Sequence, residues 1–113
     1  MERTVFIPHL PTRQNPVDDT WVPTISLNPA AELGELKVIC DQPSDAAPEN
    51  IAAAMNEISK VINEFRSGDY IVMTGDPVLC AWAIHLALNW ADRVCVLRWN
   101  REARRYDLLT IED

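Results

Sequence analysis

The chain has 113 residues, 48% of them apolar, with 10 Lys+Arg against 17 Asp+Glu and a formal charge of -7. That length fits a single domain over residues 1–113 that buries roughly 65% of its unfolded surface, and the apolar content excludes wholesale disorder. The acidic balance argues against a protein that coats nucleic acid or membrane, and the sequence has neither an apolar run of about 20 residues nor a signal-peptide pattern.

Three cysteines without CxxC spacing form neither a disulfide framework nor a zinc site, which points to a reducing, cytoplasmic home. Residues 1–92 carry five basic and thirteen acidic side chains, whereas residues 93–113 carry five and four. The expectation is an acidic body with one basic, hairpin-sized patch.

Thr4-Val5-Phe6-Ile7 is β-branched and aromatic and reads as a strand stopped by Pro8. Six of the eight prolines precede residue 45, so residues 1–35 read as loop-dominated, with residues 8–28 a long loop carrying Trp21. Asn28-Pro29-Ala30-Ala31-Glu32-Leu33-Gly34 predicts a short helix with Asn28 as N-cap and Gly34 as C-cap. Leu36 to Cys40 is the next strand, and Asp41-Gln42-Pro43-Ser44 a turn.

From Pro48 to Arg66, Ile51, Met55, Ile58, Ile62 and Phe65 recur on one face of a 3.6-residue helix, with Gly68 as its C-cap. Tyr70 to Met73 is continuously apolar, as a buried parallel strand is. Asp76-Pro77 supplies an N-cap and an N1 proline for a helix reaching about Trp90. Between Val78 and Trp90 only His85 and Asn89 are polar. Such a helix needs cover beyond one sheet face, either from the N-terminal segment with Trp21 or from a second subunit, and a homodimer is expected. Arg93 to Trp99 and Arg105 to Ile111 form a hairpin around Asn100-Arg101-Glu102-Ala103. This order predicts a small Rossmann-like α/β sandwich: a mostly parallel sheet, two main helices and a C-terminal antiparallel hairpin.

In such a sheet ligands bind beyond the carboxyl ends of the strands. Those ends offer His9, Asp41 and Asp76, with Arg98 nearby, as a set for Mg²⁺ and phosphate. The plainer alternative makes Asp41 part of a polar turn and Asp76 a helix cap, and capping fully accounts for an Asp before an N1 proline. Thr74-Gly75-Asp76-Pro77 lacks the glycines and free N–H groups of a phosphate loop, and neither GxGxxG nor GxxxxGK[ST] occurs. Cys40, Cys80 and Cys95 lie in apolar segments where cysteine acts as a small core residue, so no catalytic, metal or cofactor site is assigned.

Two surfaces are candidate partner or oligomer interfaces. One is the helix stripe of Trp82, His85 and Asn89. The other is the hairpin, where Trp99 and Tyr106 interleave with Arg98, Arg101, Arg104 and Arg105. The alternative for the hairpin is a charged edge strand that discourages sheet-to-sheet pairing.

Two stretches carry a family likeness. The first runs from Trp21-Val22-Pro23-Thr24 through Asn28-Pro29-Ala30-Ala31-Glu32-Leu33-Gly34-Glu35-Leu36. The second runs from Gly68-Asp69-Tyr70 through Thr74-Gly75-Asp76-Pro77 to Val94-Cys95-Val96-Leu97-Arg98-Trp99-Asn100-Arg101, with Tyr106 on the return. From Trp21 onwards the pattern resembles small α/β proteins of unassigned activity encoded by tailed bacteriophages. The resemblance implies a viral origin, action in the bacterial cytoplasm and a role accessory to infection, and it carries over no catalytic residue.

The leading expectation is a non-enzymatic protein that binds a host, phage or defence protein through its acidic surface, with no membrane or direct nucleic-acid partner. The alternative is a nucleotide- or phosphate-binding protein, or a Mg-dependent phosphate enzyme, using His9, Asp41, Asp76 and Arg98. A third is a structural oligomer built on the apolar helix.

Overall fold

The computed structural model describes residues 2–23, 25–41 and 47–112. Beyond Asp41, the turn expected through Ser44 lies outside the described residues. Among the described residues seven strands form, β1 Thr4–His9, β2 Thr12–Gln14, β3 Trp21–Pro23, β4 Glu35–Cys40, β5 Tyr70–Val72, β6 Arg93–Asn100 and β7 Arg105–Glu112. Three helices accompany them, α1 Asn28–Ala31, α2 Pro48–Val61 and α3 Pro77–Ala87, and a 3₁₀ turn at Ile62–Glu64 prolongs α2.

The main sheet runs β4-β1-β5-β6-β7, with β7 antiparallel to β6 and every other neighbour pair parallel. This is the mostly parallel α/β architecture with a terminal hairpin that the element order predicts.

Side-chain alternation divides the sheet into two packed faces. Phe6, Ile71, Val94 and Val96 face α2 and α3, joining Ala54, Ile58, Ile62, Phe65, Leu79 and Ala83. Val5, Ile7, Val72 and Leu97 face the other way, onto Leu10, Ala30, Ile25, Leu27 and Leu33. The proline-rich segment therefore covers the sheet face opposite α3. The expected amphipathic face of α2 is present: Ile58, Ile62 and Phe65 are fully buried.

The cover for α3 comes from α2, a third choice beside the two the sequence offered. Trp82 reaches across from α3, and its Nε1 donates to the Met55 carbonyl and to Ser59 Oγ, both at 3.1 Å. Trp21 lies elsewhere, beside Leu10, Thr12, Pro23 and Asp41. The apolar girth of α3 is thus accounted for within the chain by two neighbouring layers, with Val78 and Trp90 left exposed at its ends.

Several local expectations are corrected. The strand does not stop at Pro8: β1 continues to His9, and the register passes from Ile7↔Val38 to His9↔Cys40, skipping the one residue with no N–H. Leu10 N–H then donates to the Cys40 carbonyl at 2.7 Å, so a single lost ladder bond does not end the pairing. The long loop holds a small antiparallel hairpin, β2–β3. Its turn is set by Asp18, which accepts from the backbone and hydroxyl of Thr20, and by Asp19 at φ 59°.

Leu27, not Asn28, is the N-cap of α1, and it offers no capping side chain. Gly34 is required by close approach rather than by a helix end, since a Cβ there would lie 2.8 Å from the Arg3 carbonyl carbon. That closeness lets Glu35 N–H donate to the Arg3 carbonyl at 2.9 Å, starting the β1–β4 ladder.

Candidate functional site

The chain leaves β1 across one face of the sheet to reach β4, then returns through α2 across the other face to β5. The order therefore reverses between β1 and β5, and ligands of parallel α/β sheets bind at the carboxyl ends flanking such a reversal. Here that point is filled by the protein itself. The His9 ring is completely buried at the end of β1, and its Nδ1 accepts the Asp76 N–H at 2.7 Å.

Gly75 makes room for the ring. It adopts φ +79°, and a Cβ there would lie 2.6 Å from His9 Cγ and 2.8 Å from His9 Cβ. Asp76 caps α3 as its sequence position predicts, accepting the Val78 N–H at 2.8 Å. The N1 proline has no N–H, so the start of α3 presents a carboxylate where an anion site would present donors.

Of the four expected ligand residues, His9 and Asp76 come together, through the Asp76 backbone. Asp41 is exposed at the end of β4, with β1 standing between it and β5. Two strand spacings are about 9–10 Å. Arg98 projects from β6 toward the hairpin partner Asp107, Nη2 to Oδ2 3.6 Å. Among the described residues no group of three or more His, Cys, Asp or Glu side chains is arranged to hold a metal ion.

A recess opens next to the filled point, beyond the ends of β5 and β6. It encloses about 290 Å³ and is lined by Ile25, Ser26, Met73, Thr74, Trp99, Arg101 and Tyr106. Trp99 and Tyr106 oppose each other across the β6–β7 ladder, their rings edge to face at 5.0 Å. Tyr106 is 8% exposed, and its hydroxyl makes no hydrogen bond among the described residues. Loss of hydration pushes its phenol pKa above the usual value. Trp99 and Arg101 stand out in the sequence as hairpin residues. Ile25 and Ser26 do not, because nothing local reveals that the proline-rich segment folds onto the hairpin.

Burial disfavours the thiolate form at all three cysteines. Desolvation raises the pKa of all three, with Glu57 and Asp41 adding to the effect at Cys40 and Asp76 at Cys80. Cys80 Sγ also donates to the Thr74 carbonyl at 3.1 Å, a bond that only the protonated thiol can make.

The charged side chains divide across the sheet. Glu35 opens the edge strand β4, Asp41 follows it, and Glu32 and Glu2 flank its start. All four are exposed and outside any ion pair among the described residues, as are Asp18 and Asp19 on the β2–β3 turn. Arg101, Arg104 and Arg105 are exposed at the opposite edge, around the β6–β7 loop. His85 stacks on Trp82 at 5.7 Å on the outer side of α3, and Asn89 lies exposed in the turn that follows.

A family model described as Phage Pam3 gp32-like protein matches residues 3–112. No curated protein and no solved structure matches the chain.

Proposed function

The chain belongs to the Phage Pam3 gp32-like protein family and is a phage protein, and we propose that it works without catalysis, binding a host protein through the acidic flank of its sheet. The observation that carries this reading is the separation of charge across the fold, with exposed carboxylates around β4 that are outside any ion pair among the described residues, and arginines at the far hairpin. A surface on which one sign predominates steers and orients a partner of the other sign, so the partner is a protein with a basic groove, such as one that handles nucleic acid. The filled switch point and raised thiol pKa values fit the same reading, because the positions that would serve phosphate or nucleophilic chemistry are committed to structure. The Rossmann-like sheet then acts as a rigid frame for the surface.

Capture from host lysate tests this, using wild type and a Glu32→Lys/Glu35→Lys/Asp41→Lys variant. The expected result is a defined host protein retained at low ionic strength, released by salt and lost in the variant. No capture at low salt, or equal capture by the variant, refutes the reading.

A second reading rests on the recess. Trp99 offers a stacking face, Arg101 a cation and Tyr106 a hydroxyl donor, which together suit a small anionic aromatic ligand such as a nucleotide. Thermal-shift measurements against nucleotides, with and without Mg²⁺, decide it. A shift abolished by Trp99→Ala and Arg101→Ala supports the recess, and no shift with any nucleotide rules it out.

A further inference from the structure

The two edges of the main sheet are protected very differently. β4 is six residues long and carries Lys37 at its centre, held by Glu64 from the turn after α2. A central lysine and a crossing ion pair discourage another strand from docking there. β7 has eight residues, no proline and no lysine, and pairs one-to-one with β6 along its whole length without a bulge. Leu108 and Leu109 stand 52% and 40% exposed on the two faces of its middle. A long, regular edge with apolar residues on both faces is a template for strand addition.

The backbone polarity of this edge follows from one bond. Met73 N–H donates to the Leu97 carbonyl at 2.9 Å, so the polar groups of Leu97 point toward β5 and away from β7. Leu97 pairs with Leu108, so the polar groups of Leu108 point outward, and those of Tyr106, Thr110 and Glu112 point outward with them. Among the described residues these four present a row of donors and acceptors with no partner.

The geometry points to a second copy of this chain as the occupant, docked β7 to β7 in an antiparallel, two-fold arrangement that makes one ten-stranded sheet. The charge along the strand selects the direction. β7 begins at a basic end, with Arg104 and Arg105, and finishes at the acidic Glu112. Antiparallel pairing sets each basic end beside the other copy's acidic end, whereas parallel pairing would align like charges.

Symmetry restricts the register. A two-fold axis perpendicular to the sheet keeps every side chain on its own face, so only residues of like parity can oppose one another. An axis at Leu109 satisfies this and uses all four outward residues, pairing Leu108 with Thr110 and Tyr106 with Glu112 of the second copy. Leu109 then meets its own counterpart on the α2–α3 face, and Leu108 meets its counterpart diagonally on the α1 face.

Size exclusion with light scattering across a concentration series tests the proposal, with three variants confirmed as folded by circular dichroism. Thr110→Pro removes an outward N–H and leaves the β6 ladder intact, and Leu109→Lys places a charge at the seam. Val78→Lys/Trp90→Lys marks the competing α3 surface. The expected result is twice the 12.8 kDa chain mass for wild type and for the α3 variant, with a monomer for Thr110→Pro and Leu109→Lys. A wild-type monomer at about 100 µM overturns the proposal, as does a dimer that survives both β7 changes or is lost only in the α3 variant.

Discussion

Gly75→Ala is the most demanding test of how the sheet is closed at its carboxyl end. The residue sits at φ +79°, where an L side chain costs about 1 kcal/mol relative to glycine. The new Cβ would also lie 2.6 Å from His9 Cγ and 2.8 Å from His9 Cβ. These are not the ends of a flexible side chain, because the ring is fully buried against the core and cannot swing into solvent. Overpacking of this kind costs about 1–3 kcal/mol. Displacing the ring breaks the 2.7 Å bond from the Asp76 N–H, worth about 1 kcal/mol more.

Together these give roughly 3–5 kcal/mol, a large fraction of the ~5–15 kcal/mol that holds a domain of this size. At about 4 °C per kcal/mol, Tm falls by at least about 12 °C. Urea and thermal unfolding followed by circular dichroism measure the loss, and a double-mutant cycle with His9→Ala locates its cause. Removing the ring relieves the clash with it and leaves only the Cβ contact, so the two changes together cost about 1–2 kcal/mol less than the sum of each alone. Destabilisation by Gly75→Ala below about 1 kcal/mol, or strict additivity in the cycle, refutes the packing argument.

Three further outcomes are expected. Asp76→Ala removes the cap on α3 and lowers stability by about 1 kcal/mol in chemical denaturation, while leaving the His9 bond, which uses the backbone, in place. Trp82→Phe keeps an aromatic ring between α2 and α3 but deletes the donor to Met55 and Ser59, costing about 1 kcal/mol in the same assay. The native thiols react with an alkylating reagent more slowly than free cysteine at pH 8, because burial raises their pKa values. The same direction sets a pH dependence: their contribution to stability is fully present below the unfolded thiol range near ~8.5 and declines as pH rises through the folded values. Flat stability between pH 8 and 10 contradicts it.

What was legible in the sequence depended on how local the governing interaction was. The α2 face, the Asp76–Pro77 start of α3 and the β6–β7 hairpin rest on neighbours within a few residues, and each forms where the pattern puts it. Pro8, which has no N–H, reads as a strand end but is not one. Only alternate N–H groups serve each neighbour, so one proline deletes one bond and leaves His9 in the sheet. The apolar girth of α3 is legible in its own residues, whereas α2 as its cover is not, because Trp82 meets residues 27 and 23 positions away. The recess shows the same limit. Trp99 and Arg101 were visible on their own strand and loop, while Ile25 and Ser26 arrive from a segment more than seventy residues earlier.

The position of β1 also governs how the chain must be made. It lies inside the sheet between β4 and β5, yet it precedes both in the chain. When His9 is complete, 31 residues remain before β4 ends at Cys40 and 63 before β5 ends at Val72. At roughly 5–20 residues per second of synthesis, β1 waits about 2–6 s for its first neighbour and about 3–13 s for its second. Until β4 is complete Val5, Phe6 and Ile7, which end up fully buried, have no neighbouring strand, and until β5 is complete they have one. The residues that later anchor both faces of the sheet are thus made first and are flanked on both sides only once β5 is complete.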